Sequence, residues 1–104
     1  MRAALLLVAL ALTAGCGGGG DDDGERERAI AAAHIAYEEA AAEGRDFADG
    51  PCLGVVHPNW VADVAHDPRQ DVDDRPENQC EAYRSGEAEH FVELDPDGNL
   101  IRAE

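Results

Sequence analysis

The alternation of apolar and polar positions changes rhythm several times along the chain. Residues 3–12 are apolar without a break, and a Gly/Asp-rich run occupies 17–24. Over 25–47 the spacing becomes helical. Ile30, Ala33, His34, Tyr37 and Ala41 fall in one stripe at about 100° per residue, with Arg28, Glu39 and Glu43 opposite. Alanine content raises the helix propensity, and the acids at 25 and 27 complement the positive end of the helix dipole. Gly44 supplies a C-cap, with a last turn reaching Phe47, and Asp49-Gly50-Pro51 ends any helix.

Beyond residue 51 the period shortens to two. Residues 53–57 and 60–65 are short β-prone runs divided by Pro58-Asn59. In the second, Trp60, Ala62 and Val64 alternate with Val61, Asp63 and Ala65, the pattern of a strand with one buried face. Residues 66–79 carry Pro68, Pro76 and a single apolar side chain, Val72. A connection that long is either functional or loosely ordered. Residues 89–94 and 99–103 flank Asp95-Pro96-Asp97-Gly98, which predicts a hairpin with a type I turn and a G1 bulge. The pattern therefore predicts an α+β domain: one N-terminal helix packed on a small antiparallel sheet of three to four strands, ending in a β-hairpin.

The N-terminus carries a different message. Met1-Arg2 is a short positive start, and the apolar run makes a rod of about 15–18 Å, too short for a hydrocarbon core of about 30 Å. Residues 1–15 read as a removable export signal. Leu12-Thr13-Ala14-Gly15-Cys16 resembles the lipobox of bacterial lipoproteins, with Leu12 one place upstream of its usual position and Thr13 in that place. The resemblance implies cleavage between Gly15 and Cys16 and acylation of Cys16. It covers about a quarter of the chain. Residues 16–24 then become the lipidated cysteine and its Gly/Asp tether, and 25–104 a single small domain. Acyl chains contribute about 0.8 kcal/mol per buried CH₂, so two or three of them anchor firmly. The expected location is the cell membrane or outer membrane, facing the periplasm or exterior.

Charge narrows the partners. Eight Lys+Arg, all of them Arg, face 23 Asp+Glu, for a net charge of −15; removing Arg2 with the signal makes it −16. Phosphate contacts need clustered cations, so nucleic acid is excluded as a partner. Electrostatic docking on anionic lipid is equally disfavoured, which leaves acyl chains as the membrane attachment. Arg in place of Lys throughout, with abundant Ala and Gly, points to a GC-rich bacterial genome. Setting Cys16 aside leaves Cys52 and Cys80, for which export makes a disulfide the expected state. It would be worth roughly 3.5 kcal/mol in the chain-entropy model. A thiol nucleophile or a metal thiolate pair are the alternatives, and no C-x-x-C spacing supports them.

Catalytic patterns are sparse. Ser85, the one serine, precedes Gly86 in a turn and lacks a nucleophile elbow. Asp95 to Asn99 has the turn glycine at the wrong place for a calcium loop. His57, His66 and His90 could converge on a metal with Asp63 or Asp67, although no H-x-x-x-H pair exists. His66 and Asp67 could act as an acid–base pair only if a turn brings them to one side. Asp63, Asp67, Asp71, Asp73, Asp74 and Glu77 read as solvated charge. Trp60, His66, Asp67 and Arg69 are the binding candidates, Trp and Arg being enriched at hot spots, while Trp60 equally serves as the largest core side chain. The expectation is a non-enzymatic binding or accessory module without a cofactor, its partner an envelope protein or small ligand. The alternative is an extracytoplasmic metal-handling protein.

Overall fold

The computed structural model describes residues 19–104, with side chains from residue 23 onward. The export signal and Cys16 lie outside the described residues. Helix α1 (Gly19–Ala42) is followed by β1 (Cys52–His57), β2 (Trp60–Val64), a short helix α2 (Glu81–Ser85), β3 (His90–Leu94) and β4 (Leu100–Ala103). Two 3-10 turns, Asp71–Asp74 and Pro76–Asn78, lie between β2 and α2. Among the described residues no helix is long and apolar enough to cross a membrane.

The α+β class, the helix on a sheet and the closing hairpin are as the pattern predicts. The sheet, however, is mixed. Its order is β1-β2-β3-β4, and the central pair, β2 with β3, is parallel, in register from Trp60 opposite His90 to Val64 opposite Leu94. Parallel neighbours need a crossover of a dozen or more residues. The segment 66–89 is that crossover, which is why it is long. The outer pairs are antiparallel.

Helix α1 begins six residues earlier than the periodicity predicts and stops at Ala42 rather than 47. Its start takes in the aspartates of 21–23, where negative charge favours a helix N-terminus. Its end is a Schellman motif. Gly44 sits at φ 81°, its N–H donates to the Ala41 carbonyl at 3.0 Å, and the Arg45 N–H donates to the Ala40 carbonyl at 3.0 Å. Those two bonds satisfy carbonyls that another turn of helix would have used, so Phe47 leaves the helix and stacks on Tyr37 instead, ring centroids 4.4 Å apart.

The face that α1 presents to the sheet is built from small residues. Ala29 and Ala33 are fully buried against Trp60, Ala62, Val92, Leu94 and Ala103, with Ile30 and Tyr37 packed at the margin. Alanine lets the helix axis approach closely, and the Trp60 ring fills the volume that larger helix residues would have occupied. Two polar contacts fix the helix along the sheet. Arg26 Nε donates to the Ala103 carbonyl at 3.1 Å, and the Tyr37 hydroxyl donates to the Pro96 carbonyl at 2.8 Å. Gly98, at φ 89° in the β3–β4 turn, lies directly under the Tyr37 ring, where any Cβ would collide.

The turns have their own logic. Asn59 takes φ 72° between β1 and β2, its amide oxygen accepts from the Glu89 N–H at 2.8 Å, and its carbonyl accepts from the His90 N–H. One residue thus ties the first hairpin to the start of β3. In the second hairpin the Asp95 carboxylate accepts from the N–H groups of Asp97 and Asn99, at 2.9 and 2.8 Å. Partial burial opposes its ionisation, but those hydrogen bonds prevail and hold the Asp95 carboxyl below its ordinary range. The turn accounts for this acidic stretch without a cation.

Candidate functional site: a charged cleft on the far face of the sheet

Because strand side chains alternate, the residues between the core positions point to the face away from α1. There Val61 packs with Cys80 and Ala88, and with the partly buried Phe91, Ala82 and Cys52. The Cys52–Cys80 disulfide is formed, joining β1 to the residue before α2, with Cα atoms 5.0 Å apart. It holds α2 over this end of the sheet. Tyr83 of α2 meets Phe91 edge to face at 5.2 Å.

One step along the strands the same face turns charged. The register places Asp63 of β2 beside Glu93 of β3, and Glu93 beside Arg102 of β4. Two neighbouring carboxylates repel, and Glu93 is only 5% exposed. Arginines resolve the conflict for Glu93. Arg69 Nη1 donates to Oε2 at 3.0 Å, and Arg102 Nε lies 3.3 Å from Oε1. Asp63 has no such partner among the described residues, and its Oδ1 is buried without a hydrogen bond from any of them. Burial first, then the charge of Glu93, pushes the Asp63 carboxyl up to about 7. Near neutral pH this side chain exchanges a proton.

These residues line a cleft of about 340 Å³ together with Arg69, Tyr83 and Arg84. The volume is at the small end for ligand sites. Arg69 has its donors engaged: Nε goes to Asp74 at 2.8 Å, Nη1 to Glu93, and Nη2 to the Asp73 carbonyl at 3.3 Å. Arg102 uses only Nε, and the Arg84 side chain has no ion pair or hydrogen bond among the described residues, its backbone N–H donating to the Cys80 carbonyl at 3.1 Å. Three of the seven arginines beyond residue 15 thus converge on one cleft of a strongly acidic chain.

The segment that carries Arg69 is ordered by a buried carboxylate. Asp73 is 3% exposed and accepts from the N–H groups of His66 at 3.0 Å and Gln70 at 2.8 Å, with His66 Nδ1 3.0 Å away. Burial works against its charge, but these donors win and the Asp73 carboxyl lies below its ordinary range. Gly50, at φ 67°, allows the packing: a Cβ there would run into the Asp73 carboxylate and come within 2.9 Å of the Val64 carbonyl.

Of the binding candidates read from the sequence, only Arg69 lines the cleft. Trp60 lies on the opposite face, 4% exposed and stacked on His90 at 4.6 Å, a core side chain. His66 pairs with Asp73 rather than with Asp67, which is exposed. Asp67, Asp71, Asp74 and Glu77 are exposed as expected, whereas Asp63 and Asp73 are not solvated charges. His57 and His90 sit at the end of the sheet where β2 begins, and His66 follows its other end, about 20 Å of strand away. That distance keeps the three from one metal ion, and among the described residues no three His, Cys, Asp or Glu side chains are placed to hold one. Sequence reading missed Asp63, Tyr83, Arg84, Phe91, Glu93 and Arg102 as a group. The signal available was the parity of β2, which put Asp63 on the face of Val61. Comparison of the chain with family models, with curated proteins and with solved structures finds no match.

Proposed function

We propose that this protein is a small lipoprotein of a bacterial cell envelope, acylated at Cys16 and acting as a tethered, non-enzymatic binding module. The observation that carries the reading is the lipobox-like Leu12-Thr13-Ala14-Gly15-Cys16 leading directly into one small domain. The Cys52–Cys80 disulfide supports an oxidising compartment outside the cytoplasm. Apart from Asp63, several groups suited to acid–base or nucleophilic work are already engaged. Glu93 is held by two arginines and His66 by Asp73, while the Ser85 hydroxyl donates to the Ala82 carbonyl at 3.2 Å.

Intact-mass analysis of the protein from the membrane fraction of a bacterial host, with and without reductant and alkylation, tests this. The expected mass is that of residues 16–104 plus diacylglycerol, with or without a third acyl chain, and no alkylation before reduction. An unmodified chain released outside the cell would overturn the anchored reading.

A further inference from the structure

We propose that the cleft on the far face of the sheet binds a small organic carboxylate with a flat apolar body. Its charged head would lie between Arg84 and Arg102, and its body against Tyr83, Phe91 and Val61. This rests on the reading of the chain as a binding module and names the class of its ligand. The two ends of the cleft differ in kind. One is apolar and aromatic, made by Val61, Phe91 and the edge-on Tyr83 over the disulfide. The other, one step along the strands, holds Asp63, Glu93 and Arg102; the Arg84 side chain also lines the cleft without an ion pair among the described residues, and Arg102 spends only Nε on Glu93. A planar guanidinium matches a carboxylate in geometry as well as charge. In a chain of net charge −15, an arginine that lines a cleft with no carboxylate partner among the described residues can take an incoming one.

Asp63 completes the site. It lines the cleft, and its buried Oδ1 has no hydrogen-bond partner among the described residues, so the carboxyl is not committed to a contact within them. The groups facing it are Glu93 on β3, Arg102 on β4, Arg69 and Asp73 from the crossover, and Tyr83 and Arg84 on α2. With Asp63 protonated, the wall of the cleft is net positive, and the carboxylic acid donates to the ligand's carboxylate. An anion placed there favours the protonated form further, so affinity falls as pH rises through the Asp63 titration. A cationic ligand would show the opposite trend.

The test is a two-dimensional amide and arginine side-chain NMR titration of the full, disulfide-bonded chain with benzoate and separately with benzylamine, at about pH 6 and about pH 8. Saturable shifts with benzoate at Tyr83, Arg84, Phe91 and Arg102, several-fold weaker at the higher pH, are expected. Arg84→Gln should weaken benzoate binding about tenfold while leaving the rest of the spectrum unchanged. Asp63→Asn should keep at the higher pH the affinity that the native chain has at the lower. The proposal is overturned if benzoate gives no saturable shift at tens of millimolar, if benzylamine binds instead and tightens as pH rises, or if Arg84→Gln changes nothing. The mass of the membrane form is read independently, so an acylated protein with an unresponsive cleft would refute the ligand class and leave the anchored module standing.

Discussion

On one side of the sheet Trp60, Ala62, Val92, Leu94 and Ala103 meet Ala29 and Ala33 of a long helix, with Ile30, Tyr37, Leu53 and Val56 partly buried around them. On the other, the same strands offer Val61 and Phe91 to a five-residue helix and a disulfide, and then Asp63, Glu93 and Arg102 to a cleft. The first face is closed by area. The second is closed only where Cys52–Cys80 pins α2, and beyond that point it is held by ion pairs. Pairs of this kind return little more than the desolvation of their members, so they define geometry more than they stabilise. One face keeps the protein folded, and the other has residues free to bind.

Removing the disulfide should separate the two faces most sharply. Replacing Cys52 and Cys80 with Ser is expected to lower stability by roughly 3.5 kcal/mol in denaturant unfolding. Hydrogen exchange should rise first in 66–89 while amides of β2 and β3 stay the slowest. Equal acceleration everywhere would mean that the faces form one cooperative unit. Leu94→Ala, at a fully buried position under α1, should cost about 3 kcal/mol and leave the cleft's arginine resonances in place until the whole domain unfolds. Gly50→Ala should cost about 2 kcal/mol, because it combines a left-handed φ with a collision against Asp73, and should loosen Arg69 before it affects the core.

The smallest effect concerns protons. Asp63 has a folded value raised to about 7 from 3.8, so between those values the folded chain keeps a proton that the unfolded chain has lost. Its contribution to stability is full below about 3.8, falls as pH rises toward 7, and is flat above. Asp73 and Asp95 are shifted down, so their contributions hold above the ordinary carboxylate range and are lost as pH falls through their folded values. Asp63→Asn should therefore raise the melting temperature at about pH 7.5 and do nothing at about pH 4. An equal gain at both would assign the effect to packing.

Legibility followed locality. The helix, the Gly44 cap, the alternation of 60–65 and the Asp95–Gly98 turn each depend on residues within a few positions of one another and were readable, although Ala41 of the stripe is exposed while Ala29 and Ala40 are buried, and β2 is covered on both faces rather than one. The Cys52–Cys80 pairing was readable because no other partner remained once Cys16 was set aside. What the pattern missed was long-range. Glu93 looks like a surface residue in His90-Phe91-Val92-Glu93-Leu94 until Arg69, 24 residues earlier, and Arg102 are brought to it. His66 looks paired with its neighbour Asp67 until the crossover folds Asp73 onto it.

By itself, then, the order of residues determined the long helix, the four strands, the covalent staple and the lipobox-like start, but not α2 or the two 3-10 turns, because period, cap and turn chemistry act over a few residues. Only the tertiary structure decided that β2 and β3 run parallel, that the 66–89 crossover is ordered around Asp73, and that three arginines gather over Asp63. Those outcomes depend on which end of the sheet the chain returns to after β2. The packing of α2 and the burial of a few carboxylates settle that return, and no short stretch of sequence encodes either.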